Sequence, residues 1–178
     1  MIADRVLIVD DEEKIRKIFS RLLTDEGYRV KAVDSGTSAL KVFPVFKPHL
    51  VLLDQNMPGL NGIETLMRIR EQYPETVVII ITAYGAVSLA VEAIKKGAYD
   101  YLEKPVDNDK MLLLLQRAAD HHRMNAELKR LRHKLNAPFS FDHIVAASYE
   151  MKQVIEQARC VCETDATVMI TGESGVGK

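Results

Sequence analysis

Four apolar runs in the first 110 residues stop on side chains that can do chemistry. Val6-Leu7-Ile8-Val9 runs into Asp10-Asp11, Leu50 to Leu53 into Asp54, Val77 to Ile81 into Thr82, and Tyr99 to Leu102 into Lys104. Brought together, three carboxylates repel and raise one another's pKa unless a cation lies among them. A hard divalent ion with oxygen ligands is the natural neutraliser, and Mg2+ suits one or two carboxylates plus water and a phosphoryl oxygen. A carboxylate left free beside a metal and an ammonium invites phosphoryl transfer onto itself, giving an acyl phosphate whose charge the two cations bear. The Thr82 hydroxyl can then donate to the new phosphate oxygens. A group carrying about two negative charges would appear where none stood, which is the chemistry of a two-state switch.

Each residue alone has a plainer explanation. Asp10-Asp11 can cap a following helix, Asp54 to Gly59 can be a turn rich in Asn, Pro and Gly, Lys104-Pro105 can be a loop, and Tyr101 can be a half-buried strand residue. Their joint occurrence at successive strand ends favours the functional reading.

That reading depends on the elements that position the side chains. The four runs, with a fifth from Val30 to Val33 that trails into Asp34-Ser35, read as strands. Stretches of helical period lie between them, such as Ile15, Ile18, Phe19, Leu22, Leu23 and Ile63, Leu66, Met67, Ile69, and Gly27, Gly36, Gly62, Gly85 and Gly97 mark the transitions. Strands alternating with helices imply a parallel sheet covered on both faces. Five units in about 110 residues predict an α/β, doubly wound five-stranded sheet of order 2-1-3-4-5. In that order the four site-bearing strands are neighbours, and ligands bind beyond their carboxyl ends.

Composition narrows the function classes. The chain has 178 residues with 24 Lys+Arg against 25 Asp+Glu, a net charge of −1, and 47% hydrophobic residues. This excludes a disordered tail or a collagen-like fibre, and argues against a basic nucleic-acid domain over the whole length. Cys160 and Cys162 are too few for a disulfide framework, and C-x-C is not a zinc spacing. A buried structural role is expected for both. The start lacks an apolar signal segment, and no run approaches the roughly 18 residues of a membrane helix. The expectation is a soluble cytoplasmic protein with no membrane partner.

From Asp107, read as an N-cap, no Gly or Pro occurs until Pro138, so residues 107–136 are predicted as one helix about 45 Å long. Leu112 to Leu115 can pack on the sheet. Met124, Leu128, Leu131 and Leu135 follow at spacings of four, three and four, an a/d seam that predicts a dimeric linker. In a parallel pair, Glu127 would meet Arg132 of the other chain. Residues 111–136 hold six basic and two acidic side chains, but without aromatic interleaving or a recognition fold this basic helix is not read as a nucleic-acid binder.

After Pro138 a short helix around Met151 to Val161 and a strand from Thr167 to Thr171 are predicted. The ending Gly172-Glu-Ser-Gly175-Val-Gly177-Lys178 fits G-x-x-x-x-G-K of a phosphate-binding loop, with glycines that free backbone N–H groups and a lysine for the outer phosphates. Its Ser/Thr would follow Lys178. On these residues a second reading stands: a P-loop nucleotide-binding ATPase fragment with the front domain as scaffold.

The acidic pair, the aspartate after the third strand, the threonine after the fourth and Lys-Pro after the fifth together resemble the flavodoxin-like receiver domain of bacterial two-component response regulators, over residues 1–120. The linker at 107–136 and the GESGVGK stretch in 137–178 are similar to the start of the AAA+ ATPase module of sigma-54-dependent activators, of the NtrC type. The resemblance implies that Asp54 accepts a phosphoryl group from a sensor histidine kinase. Asp11, Asp54 and the Asn56 backbone carbonyl would hold Mg2+, Asp10 acting largely through water. Lys104 would pair with the phosphate, its bond to Pro105 being cis, and Thr82 and Tyr101 would form a coupled switch. It also implies homodimerisation through receiver and linker. ATP, sigma-54 RNA polymerase and DNA would belong to the intact parent protein, the chain itself being a non-enzymatic signalling fragment that neither hydrolyses ATP nor binds DNA specifically. The uninterrupted linker favours those relatives in which an ordered receiver–linker dimer holds the ATPase inactive.

Overall fold

Alternation along five apolar strands sets the layering. The computed structural model describes residues 4–83, 87–136, 146–162, 167–169 and 171–172. In chain order the first elements are β1 (Arg5–Val9), α1 (Glu13–Asp25), β2 (Arg29–Val33), α2 (Gly36–Phe46), β3 (Leu50–Asp54) and α3 (Gly62–Gln72). They are followed by β4 (Val77–Ala83), α4 (Val87–Lys95), β5 (Asp100–Lys104), α5 (Asn108–Asn136) and α6 (Tyr149–Val161). All pairings are parallel and the order is β2-β1-β3-β4-β5, as the sequence predicts. The chain divides into two units, Met1–Glu127 and Leu128–Lys178.

Successive strand residues face opposite sides of the sheet. Val6, Ile8, Leu50, Leu52, Ile79 and Ile81 pack with Phe19 and Leu23 of α1 and with Met111, Leu115, Ala118 and Ala119 of α5. Leu7, Val9, Val51, Leu53, Val78 and Ile80 form the other core with Phe43 of α2, Leu66 and Ile69 of α3, and Ala93 of α4. Each such side chain taken fully out of water contributes about 1.5–3 kcal/mol, so β1, β3 and β4, buried on both faces, form the rigid centre.

Caps fix the helix starts. Ser35 Oγ accepts from the Ser38 N–H at the head of α2. Asn61 and Glu64 form a capping box on α3, each side chain bonded to the other's backbone N–H at 2.9 and 3.1 Å. Asp107 Oδ1 accepts from the Asp109 and Lys110 amides at 2.9 and 3.2 Å, the N-cap role read from sequence. Gly27, at φ +86°, ends α1 with the Tyr28 N–H bonded back to Leu23 O.

Five expectations are corrected. β3, β4 and β5 run past their apolar residues to include Asp54, Thr82 and Lys104, because the ladder continues: Asp54 pairs with Ile81 and Ala83 with Lys104. Ile18, Met67 and Leu113 are exposed although helical spacing counts them with apolar neighbours; the buried stripe of each helix is narrower than its apolar set. In the second unit, residues 167–169 and 171 form no strand, and Val168 and Met169 are exposed. A strand must pair its backbone groups, and no described segment pairs with this one. The helix read around Met151 begins earlier, at Tyr149, where Ser148 caps it through the Met151 amide. Cys160 and Cys162 are both exposed and unpaired, contrary to the expected burial. No described helix is long and apolar enough to cross a membrane.

Candidate functional site

Where β1, β3, β4 and β5 end, the sheet stops and its last side chains converge. Asp10 and Asp54 are almost wholly buried, at 1% and 2% exposure, whereas Asp11 is exposed. Carboxylate oxygens of Asp10, Asp11 and Asp54 lie within 4.8 Å of one another. Lys104 reaches across from β5, its Nζ 3.0 Å from Asp54 Oδ1 and 3.3 Å from Asp10 Oδ2. The peptide bond between Lys104 and Pro105 is cis. Thr82 Oγ1 is buried without a hydrogen-bond partner among the described residues.

The electrostatics follow from burial. Desolvation pushes the Asp54 carboxyl above its ordinary range; Lys104 counteracts this, while Asp10 and Asp11 add to it. For Lys104, burial disfavours the charge, but the hydrogen bond and attraction of Asp54, with those of Asp10, outweigh it and hold the ammonium above its usual range. Three carboxylates face one ammonium, which leaves an oxygen-rich pocket with excess negative charge. That donor set is the kind a hard divalent cation takes.

Tyr101, the second residue of β5, is half-buried and packs against the core on the α2–α3–α4 side. Asn56 is exposed in the loop after β3. That loop is pinned by the Gln55 N–H to Ile81 O (2.8 Å) and the Gly62 N–H to Gln55 O (3.1 Å). Gly62 is required there: a Cβ would sit 2.6 Å from Asp54 O and 2.7 Å from Gln55 Cα. Gly172 is exposed and outside any helix or strand, and Gly175, Gly177 and Lys178 lie outside the described residues.

The plainer capping explanation for the acidic pair holds only in part. Glu12 is the N-cap of α1 and its side chain makes no cap bond; Asp10 Oδ1 instead accepts the Glu12 N–H at 2.8 Å, which orients the carboxylate. Sequence reasoning passes over two supports of this loop. Arg16 donates to the carbonyls of Asp10 and Asp11 at 2.7 and 2.8 Å, and Glu12 lies 3.5 Å from Lys104. A basic residue one turn into a helix that follows an acidic loop was the available signal for Arg16.

Comparison with known proteins places this geometry. Residues 6–116 match the family model described as response regulator receiver domain, and residues 144–178 match that of the sigma-54 interaction domain. The regulatory protein AtoC of Escherichia coli (strain K12) is 37% identical over 175 residues, covering 98% of this chain and 38% of AtoC. The response regulator protein FleR of Pseudomonas aeruginosa is 39% identical over 176 residues, covering 99% of this chain and 34% of FleR. The crystal structure of the NtrX receiver domain from Brucella abortus has a TM-score of 0.62 at 38% identity, covering 65% of this chain and 98% of that one. NtrX from Brucella abortus in complex with ADP has a TM-score of 0.70 at 33% identity, covering 92% of this chain and 35% of that one. The chain thus spans well under half the length of the curated relatives it matches. It belongs to the response regulators, with a receiver domain followed by the start of a sigma-54 interaction domain.

Proposed function

We propose that Asp54 is the phosphoacceptor of this receiver, taking a phosphoryl group from a sensor histidine kinase in the presence of Mg2+. The observation that carries this is the Lys104 ammonium 3.0 Å from Asp54 Oδ1, in a pocket where three carboxylates lie within 4.8 Å. An Asp54 oxygen forms the new P–O bond, the P–N bond to the donor histidine breaks, and the electron pair leaves with the imidazole, which takes a proton from water. Asp11 and Asp54, with the Asn56 carbonyl and Asp10 through water, would hold Mg2+. When bound, the ion would neutralise the phosphoryl oxygens. Lys104 stays beside the acceptor and pairs with the added phosphate. Thr82, whose hydroxyl lacks a partner among the described residues, donates to it, and Tyr101 on the neighbouring strand responds to that movement.

In the same reading, residues 1–120 form the receiver, residues 107–136 its last helix and linker, and residues 137–178 the start of the ATPase module. Met124, Leu128 and Leu131 are exposed, which supports their use as a dimer seam. ATP hydrolysis, polymerase contact and DNA binding belong to the full-length activator.

Incubation with acetyl phosphate and Mg2+ should label the wild-type chain on Asp54 and leave Asp54→Asn unlabelled. Equal labelling of the two overturns the assignment.

A further inference from the structure

The amino end of the sheet carries a second, unrelated surface. Arg5, Arg29, Lys31 and Lys47 surround an open groove of about 500 Å³ beside β2, floored by Val30, Val45 and Phe46. None of the four cations forms an ion pair with any described residue. Arg5 Nε donates to Lys47 O at 2.7 Å, and Lys47 holds a left-handed φ of +48°, so one wall is fixed in place. Val45 is 84% exposed, an apolar side chain that the cations flank.

β2 is also an edge strand. Its parallel pairing with β1 uses alternate residues: the Arg29 N–H donates to Asp4 O at 3.0 Å and Val33 O accepts from the Asp10 N–H at 3.2 Å. By that alternation the backbone groups of Val30 and Ala32 point away from β1, along the open edge. Charged edge residues ordinarily block pairing with further strands. Arg29 and Lys31 share the α2 face of this edge with Val33, and positive charge there repels a basic strand and admits an acidic one.

We propose that the outer edge of β2 and its basic groove accept an acidic, extended protein segment, which adds to the sheet as a sixth strand. Its backbone would pair with Val30 and Ala32, its carboxylates would meet Arg29, Lys31 and Lys47 on the α2 side, and its alternate apolar side chains would lie beside Val30 and Ala32 on the other side. Strand addition supplies affinity through the main chain and specificity through alternate side chains. Charge complementarity names the partner as acidic.

The test is amide NMR on the full chain, titrated with a capped peptide of alternating Glu and Val and with its Lys and Val counterpart. The acidic peptide should shift the Val30, Ala32, Val45 and Phe46 amides, and the basic one should not. Arg29→Glu combined with Lys31→Glu, both exposed positions, should weaken binding by about tenfold or more while leaving the rest of the spectrum in place. Equal binding of both peptides overturns the proposal, as does absence of shifts. Inorganic pyrophosphate matching the acidic peptide's shifts would show a site that reads charge alone, and would overturn strand addition. Self-association of the chain through the same amides would assign the edge to a second copy and count equally against it.

Discussion

Replacing Lys104 by methionine tests the electrostatic basis of the site without touching its carboxylates. Asp10 and Asp54 are nearly inaccessible, and Lys104 is the cation that the structure places against both. Removing one partner of a buried pair costs about 3–5 kcal/mol because the other charge is left uncompensated. Lys104 keeps 27% of its side chain exposed, so water screens part of the field. The exposed Glu12 contact adds little, and the expected loss is about 2 kcal/mol. Its pH dependence has a definite sign. Burial already raises the Asp54 pKa in the fold, and loss of Lys104 raises it further. A carboxylate that binds its proton more readily folded than unfolded destabilises the fold above its folded pKa. That penalty shrinks as pH falls and is gone below the unfolded value, about 3.9. Urea unfolding with EDTA should therefore show a larger loss near neutral pH than at about pH 4. Mg2+ at about ten times its Kd should return about 1.4 kcal/mol. Adding Asp54→Asn to the variant should also recover stability, as a coupling between neighbours. A loss that is identical at both pH values and indifferent to Mg2+ would refute this account of the pocket.

Four further outcomes follow from other contacts. Gly62→Ala forces a Cβ to 2.6 Å from Asp54 O, and unfolding should show a loss of about 1–3 kcal/mol together with slower labelling of Asp54. Arg70 donates to the carbonyls of Gly97, Pro74 and Thr76, joining the end of α3 to the loop before β5. Arg70→Ala should cost about 2 kcal/mol in urea unfolding, because half-buried carbonyls lose their donor. Burial lowers the His49 pKa against the opposing hydrogen bond to the Asp4 carboxylate, with Arg5 and the stacked His122 lowering it further. A histidine that resists protonation when folded supports stability above its unfolded pKa of about 6.5 and loses that support as pH drops through it. His49→Gln should flatten this slope in a pH series of melting temperatures. Thr82→Val removes a buried hydroxyl that has no described partner, so stability should stay within about 1 kcal/mol of wild type, while the spectral change on phosphorylation at Tyr101 should be lost.

The sheet order, and the gathering of Asp10, Asp54, Thr82 and Lys104, were legible because strand alternation and strand ends are local signals, and parallel topology does the rest. The α5 N-cap at Asp107 was legible too, as an aspartate heading an unbroken helical run. What escaped depends on distant segments meeting. Arg70 reaches a carbonyl 27 residues away. His49 stacks on His122 and Arg123 pairs with Asp4 only because α5 crosses the amino end of the sheet. No spacing rule joins those positions. The described residues 167–169 and 171 are the converse case: the run has strand character, but no described segment pairs with it, and strand character alone does not make a ladder.

The pocket holds two local imbalances, and a phosphoryl group on Asp54 would relieve one and sharpen the other. Three carboxylates against one ammonium leave a surplus of negative charge, and the Thr82 hydroxyl lacks an acceptor among the described residues. Such a group would supply that acceptor and add further charge, which would increase the demand for a divalent cation. Thr82 pairs with Glu103 and Ile80 with Tyr101 in the β4–β5 ladder. In the proposed reading, a shift of Thr82 toward the phosphate would act on the strand that carries the half-buried ring of Tyr101. β1, β3 and most of β4 are buried on both faces, so the proposed movement would be expressed at the edge, in β5. The order of the sheet therefore decides which surface reports the chemistry.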